Sequence, residues 1–347
     1  MKRRMLSLVI VLGLVASLAL TGCNEAKPGA TNAPTVGTIK IAYQNGLSYS
    51  PFYVMQEMKI IEKYLPNVKV EWTVLASGSA VSEGLAAGSL DIGVMGVAPL
   101  LTAWDKGFSM KIFSGLVNSP LGLVVLDDKY MSLKNFTEPN KDKIAVPAPK
   151  SIQHILLSMA AQKQLGKATA LDEYLKALAH PDAQTALLNK IDIVAHFSSP
   201  PFLFSEVAKG GKVAVDGFDA FGGDFSFLVS VASKKFMDEQ PAYAGAVYMA
   251  MSETIGLINS KDDAAVQVIM SKEKLTKDTA IKYLDWAGTN FTTTPYGLAG
   301  LAKYMKDVGY IEKLPASYSD YCWSTATATI GQRAGGPSVL EKAQNRK

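Results

Sequence analysis

From residue 38 onward, short apolar strands hand over directly to helices, and this alternation restricts the fold more than any other feature of the sequence. Ile39-Lys-Ile-Ala-Tyr43 reads as a strand and Gln44 to Tyr49 as a loop. Ser50-Pro51 then reads as an N-cap followed by proline at the first helical position. Phe52, Met55, Met58, Ile61 and Leu65 recur at helical spacing. Val68, Val70, Trp72 and Val74 alternate with Lys69, Glu71 and Thr73, the period of a strand with one wetter face. Gly78-Ser79 opens another helix, Asp91 to Met95 is a brief apolar strand, and Gly96-Val-Ala-Pro99 turns into a third helix. A second block repeats the theme. Ile144-Ala-Val146 is a strand, Ser151 caps a helix that stops at Gly166, and Ile191 to Phe197 is a strand ending in Ser198-Ser-Pro-Pro-Phe202. Met110 to Ser119, Leu121 to Leu126 and Phe225 to Ala232 read as extended, and the pattern from Pro241 to Val308 is mainly helical. Strand, loop and helix in this order predict parallel βαβ units and an α/β fold.

With 347 residues the chain is long enough for two domains of ordinary size. Its 48% hydrophobic and 19% charged content excludes disorder. The formal charge of +4 overstates the body, because Lys2, Arg3 and Arg4 lie in a leader described next. Without them the balance is about +1, which gives no electrostatic reason to expect nucleic acid. Arginine is the sharper signal. Only Arg3, Arg4, Arg333 and Arg346 occur, so no guanidinium is available between residues 5 and 332 to grip an anion in a bidentate fork.

The basic start is followed by an apolar run from Met5 to Leu20 and then by Leu20-Thr21-Gly22-Cys23. The run is short for a bilayer span, and the three parts together read as a secretory signal, with an uncleaved anchor helix as the alternative. The tetrapeptide resembles the lipobox of bacterial lipoproteins. That resemblance implies cleavage before Cys23, acylation of Cys23, and attachment to a membrane surface by several acyl chains. Residues 1–22 are then the signal peptide and 23–37 a lipidated, flexible tether. Cys322 is left without a partner and is expected as a buried or half-buried thiol.

Catalytic signatures are missing. The sequence has no G-x-S-x-G elbow, phosphate-binding loop, zinc spacing or dinucleotide fingerprint between a strand and a helix. His180, before Pro181, reads as an exposed turn residue, His196 as a hydrogen-bonded core group, and His154 as a residue on a first helical turn that could face a cleft. Several helices begin straight after strands with small or hydroxyl residues: Ser48 to Pro51, Gly78 to Ala80, Gly96 to Ala98, and Ser151. Ordinary capping accounts for each one singly. In open α/β sheets, however, ligands bind beyond the carboxyl ends of the strands, and helix N-termini suit small anions.

In this order and spacing, these segments resemble the substrate-binding lipoproteins of ABC importers. The likeness is to the branch that takes nitrate, taurine, aliphatic sulfonates and thiamine-pyrimidine precursors. It rests on Ile39 to Ala42 with Ser50-Pro51-Phe52, Gly78-Ser79-Ala80, Leu90-Asp-Ile-Gly93 with Gly96 and Pro99, Ile144-Ala-Val-Pro147, Ser151, His154-Ile-Leu156, and Ser199-Pro-Pro-Phe202. It implies the two-lobed periplasmic-binding-protein type II fold, each lobe a mostly parallel sheet flanked by helices, with two crossing segments as a hinge. Lobe one would comprise 38–120 and 230–315, lobe two 121–229, and a C-terminal extension 316–347. The crossings are expected at Leu121–Leu126 and Phe225–Val229. By position, Ser48, Tyr49, Ser50, Gly78, Ser79, Ala80, Gly96 and Val97 match first-lobe ligand contacts, and Ser151, His154, Pro201 and Phe202 second-lobe contacts.

The resemblance implies a monomeric, exported, lipid-anchored binding protein without cofactor or metal, whose partners are a small-molecule ligand and a membrane permease. Without arginine, an anion would rely on backbone N–H groups, hydroxyls and Lys150. Tyr43, Tyr49, Phe52, Phe202 and Phe221 could form an apolar wall, at least two of them being core residues. A small organic anion such as a sulfonate is the preferred ligand and a heteroaromatic thiamine precursor the second. A pyrimidine-synthase-like enzyme and a sensory lobe remain as alternatives.

Overall fold

The computed structural model describes residues 37–330. The leader, the Cys23 acceptor, the tether up to residue 36 and the tail from Gly335 lie outside the described residues. Eleven strands are described: β1 (Gly37–Tyr43), β2 (Val68–Val74), β3 (Ile92–Gly96), β4 (Met110–Asn118), β5 (Gly122–Val125), β6 (Ile144–Val146), β7 (Leu175–Ala177), β8 (Ala195–Ser198), β9 (Lys212–Asp216), β10 (Leu228–Ser233) and β11 (Asn290–Phe291). They form two sheets, ordered β11-β4-β10-β3-β1-β2 and β7-β6-β8-β5-β9, with helices between the strands.

Strand direction fixes how the sheets face each other. In the first sheet β1 runs parallel to β2 and β3, while β10 runs against both β3 and β4. In the second, β6 runs parallel to β7 and β8, while β5 runs against β8 and β9. β10 and β5 are the strands fed from the other sheet; the two-residue β11 also runs against β4. β4 leaves the first sheet and, after Ser119-Pro120-Leu121, becomes β5, whose first residue, Gly122, pairs with the last residues of β8 and β9, Ser198 and Asp216. β9 returns through residues 217–227 to β10, whose Leu228 pairs with Gly96 at the end of β3 and with Val117 near the end of β4. Both crossings therefore join carboxyl edge to carboxyl edge. The loops beyond the parallel strands of the two sheets converge on one zone, where a ligand crevice is expected.

Local sequence explains most elements. Phe52, Met55 and Ile61 are fully buried with Ile39 and Ile41, but Met58 is exposed: the stripe read as one helix is broken there into Ser50–Glu57 and Ile60–Tyr64, with Lys59 in the left-handed region. Burying a side chain such as Phe52 contributes about 2 kcal/mol. Several details differ from the sequence reading. Leu121–Leu126 is not a crossing: its Leu-Val-Val centre has no exposed face and is drawn into the second sheet as β5, so the crossing shrinks to three residues. The return likewise ends at Phe227, because Leu228 and Val229 already pair in β10. Ser50 is the first residue of the Ser50–Glu57 helix, with Tyr49 at the N-cap, and its hydroxyl turns back to donate to the Leu47 carbonyl at 2.5 Å.

Residues beyond 315 are bound to the first sheet. Ile112 N donates to the Tyr321 carbonyl (2.9 Å), and Trp323 N donates to the Ile112 carbonyl (2.8 Å). This covers the part of the β4 edge that β11 does not reach. Cys322 is a free, buried thiol, as expected, and burial pushes it up to about 12. Among the described residues no helix is long and apolar enough to cross a membrane.

Candidate functional site, a cleft between the carboxyl edges of two sheets

Four contacts tie the two edges together. Leu47 N, in the loop after β1, donates to the Pro200 carbonyl after β8 at 3.2 Å. Ser48 Oγ lies 3.2 Å from Ser119 Oγ in the first crossing. A Cβ at Gly46 would sit 3.1 Å from the Pro200 oxygen and 3.5 Å from the Phe202 ring, and Gly46 has φ 132°, so glycine is needed here for both room and conformation. A Cβ at Gly96 would sit 3.2 Å from Ile152 Cβ. Gly96 is the N-cap of the Val97–Asp105 helix and Ile152 is the first residue of the Ile152–Leu165 helix. Two helix amino termini, one from each sheet, therefore meet, each carrying a partial charge near +0.5.

The residues read from the sequence fall around this zone in different ways. Ser48, Tyr49 and Val97 are buried in it, and Pro201 follows Pro200 across a cis peptide. Phe202 is half-buried and stacks on His180, centroids 5.7 Å apart and planes at 19°. The cap of the Gly78–Ala86 helix is Ser77, whose hydroxyl accepts from Ala80 N at 3.3 Å; Ser79 stays partly exposed, and buried Gly78 is packed against Met95 and Pro99. Ser151 Oγ accepts from His154 N at 3.3 Å, the capping role expected of it. Ser50 has its hydroxyl proton committed to the Leu47 carbonyl, so it has no donor left for an anion.

His154 is fully engaged. Its Nδ1 accepts from Lys150 N at 2.8 Å, which leaves the proton on Nε2, 3.0 Å from Asp172 Oδ1 and 3.3 Å from Tyr310 Oη. Burial pushes the Asp172 carboxyl up, but the hydrogen bonds from His154 and Tyr310 outweigh it and hold the group below its usual range. Lys150 Nζ donates to the Tyr310 carbonyl at 2.8 Å. Lys150 and His154 thus fasten the start of their helix to the segment after Val308. Of the aromatic wall, Tyr43, Tyr49 and Phe52 are core residues, and Phe221 packs on Phe225.

Sequence reasoning placed His180 on the surface, and the structure corrects this. His180 is buried, because Phe202 covers its ring and His196 binds its Nδ1 at 2.8 Å. His196 is the hydrogen-bonded core group expected of it, its Nδ1 lying 2.7 Å from Glu206 Oε1. Gln153 Nε2 stands 3.1 Å from His180 Nε2 at the other end of the chain. With that amide nitrogen as donor, His180 donates to His196 and His196 to Glu206, so all three links have one polarity. Burial first, and then the neighbouring His196, lower the His180 pKa well below that of a free imidazole. Asn118, Ser119, Ser198 and Pro200 were also missed as cleft residues. Only Ser198-Ser-Pro-Pro at a strand end gave a local signal. Among the described residues, no three His, Cys, Asp or Glu groups gather as a metal site.

Comparison with known proteins agrees with this architecture. The model of the NMT1-like family matches residues 32–271. The chain is 22% identical over 333 residues to the "Putative aliphatic sulfonates-binding protein" of Escherichia coli (strain K12), covering 95% of this chain and 99% of that one. Among solved structures, the alkanesulfonate-binding protein SsuA from Xanthomonas axonopodis pv. citri, bound to MOPS, superimposes with a TM-score of 0.68 at 16% identity, over 82% of this chain and 98% of the other. The periplasmic nitrate-binding protein NrtA from Synechocystis PCC 6803 gives a TM-score of 0.62 at 18% identity, over 84% and 85%. These structures share the two-sheet fold, and with the family model matched over more than half of its length the chain belongs to the NMT1-like family.

Proposed function

We propose that this protein is the extracytoplasmic solute-binding component of an ABC importer, and that it holds a small organic anion of the sulfonate kind between its two sheets. The observation that carries this reading is the meeting of two helix amino termini at Gly96 and Ile152. With no arginine in the fold and Lys150 tied to Tyr310, oriented N–H groups and hydroxyls are the means left for holding a small anion. The relatives named for sulfonates and nitrate support the same ligand class. None of those three is named for a heteroaromatic ligand or for a reaction, so the thiamine-precursor, synthase and sensor readings are set aside.

The ligand touches both lobes at once and so favours the closed arrangement, because only a difference in affinity between two states can shift their populations. The twelve residues from Ser48 to Phe202 read from the sequence form the walls of this cleft, some by contact and some, such as His154, by holding the wall in place. The leader exports the protein, Cys23 carries the lipid anchor, and the closed body delivers its ligand to a permease. Thermal unfolding of the unlipidated body in the presence of sulfonates, nitrate, aromatic acids and pyrimidines tests this. A sulfonate at about 100 times its Kd should stabilise the fold by about 2.7 kcal/mol through mass action. If no anion raises the melting point, the reading fails.

A further inference from the structure

Next to the first crossing the cleft has two buried polar groups that carry no charge, Asn118 and Ser198; the carboxylate in the row of Ser198, Asp216, caps the Gly217–Phe221 helix by accepting from Phe218 N and Asp219 N. Asn118 closes β4, one residue past the row in which Val117, Leu228 and Gly96 lie side by side. It is wholly buried, and neither its amide oxygen nor its amide nitrogen has a hydrogen-bond partner among the described residues. Ser198 closes β8 in the facing sheet; it is also wholly buried, and its hydroxyl is unpartnered. A continuous path of contacts joins the two. Ser119 meets Ser48, Leu47 holds Pro200, and Pro200 lies two residues beyond Ser198. Buried polar groups of native proteins are nearly always satisfied, so two at the carboxyl edges that face each other call for a shared partner.

We infer that Asn118 and Ser198 are specificity-determining residues that bind the end of the ligand remote from its anionic head, and that this end is an uncharged group able both to donate and to accept, a hydroxyl or an amide. The inference rests on the anion-binding role proposed above. An amide side chain offers donors and an acceptor together. A bare oxyanion, which only accepts, would leave the Asn118 oxygen unsatisfied. An ammonium group would be stripped of water beside the amide and hydroxyl groups of Asn118, Ser119, Ser48 and Ser198, and the carboxylate at this edge, Asp216, is engaged in capping its own helix.

Three two-carbon sulfonates that differ only at the far end test this by isothermal titration: ethanesulfonate, 2-hydroxyethanesulfonate and 2-aminoethanesulfonate. The wild-type protein should bind the hydroxy compound at least about tenfold more tightly than either of the others. Asn118→Leu, which keeps the branched outline and heavy-atom count of the side chain, should bring the ratio of hydroxy to plain compound towards one. Ser198→Ala removes a single oxygen and should lower the same ratio by about threefold or more, which keeps the test open if Asn118→Leu does not fold. Equal affinities in the wild type, a preference for the amino compound, or a folded Asn118→Leu variant with its preference intact would overturn the inference and leave the anion-binding role standing. Failure of all three to bind would overturn both.

Discussion

His196 Nδ1 stands 2.7 Å from Glu206 Oε1, and neither side chain is reached by solvent. The second carboxyl oxygen of Glu206 is buried without a partner among the described residues. This pair anchors a polar chain through His180 to Gln153, and Phe202 lies on the His180 ring at the cleft. The chain therefore links the core of the second sheet to a wall of the candidate site.

Glu206→Ala leaves His196 Nδ1 buried with nothing to bind. Breaking a buried pair of this kind should destabilise the protein by about 3 kcal/mol, read as a lower urea midpoint. Glu206→Gln keeps an acceptor for His196 and should cost clearly less. Equal losses from the two variants would show that the hydrogen bond is not what Glu206 contributes.

His180 gives a pH dependence with a definite sign. Its folded pKa lies well below the ordinary imidazole value of 6.5 because burial opposes the charged form. The unfolded chain therefore takes up a proton that the folded chain refuses. The contribution of His180 to stability is full above pH 6.5 and falls as pH drops below it, by up to about 1.4 kcal/mol per unit. Between pH 7 and pH 5.5 the urea midpoint of the wild type should fall relative to that of His180→Asn.

Glu273 acts in the opposite direction. Burial pushes its carboxyl up to about 7, with a hydrogen bond from Tyr53 pulling the other way. Tyr53 Oη in turn accepts from Gly46 N at 2.8 Å in the cleft loop. A carboxyl raised above its ordinary value of 4.5 holds its proton longer in the folded state. Its stabilising contribution is present below pH 4.5 and is lost as pH rises through 7. Glu273→Gln should remove this loss, so that the variant gains on the wild type between pH 5 and pH 8.

Much of this arrangement was legible in the sequence. The block from β1 to the Val97–Asp105 helix has strong periodicity and appears nearly where it was read, and Ser151 caps the helix expected of it. The short strands β7, β9 and β11 were missed because strands of two to five residues carry too few alternations to stand out. β9 also exposes Lys212 and Val213, which masks its pattern. Strand-to-helix turns could be read, since small and hydroxyl residues mark them. Asn118, Pro200 and the His180–His196–Glu206 chain could not, because their partners are distant in sequence or meet only after the sheets are assembled. His180 beside Pro181 looked like a turn for that reason.

Two substitutions test the walls of the cleft. Phe202→Ala removes the ring that lies between His180 and Gly46, and Ser79→Trp places a bulky side chain at a partly exposed position beside the Ser77 cap. Each should weaken sulfonate binding by more than about tenfold in titration calorimetry while leaving the protein folded by circular dichroism. Unchanged affinity in both would show that the ligand lies elsewhere.

The central claim is that the two carboxyl edges close on a ligand held between them. Glu83, on the Gly78–Ala86 helix after β2, and Asp182, on the His180–Leu188 helix after β7, are both exposed and lie on helices that follow strands of opposite sheets. Spin labels on cysteines at these positions, with buried Cys322 left in place, report the separation of the sheets by pulsed dipolar spectroscopy. Adding the sulfonate that most raises the melting point should collapse the distances onto one narrow, shorter population. A distribution that stays the same, or lengthens, at saturating ligand would contradict the account.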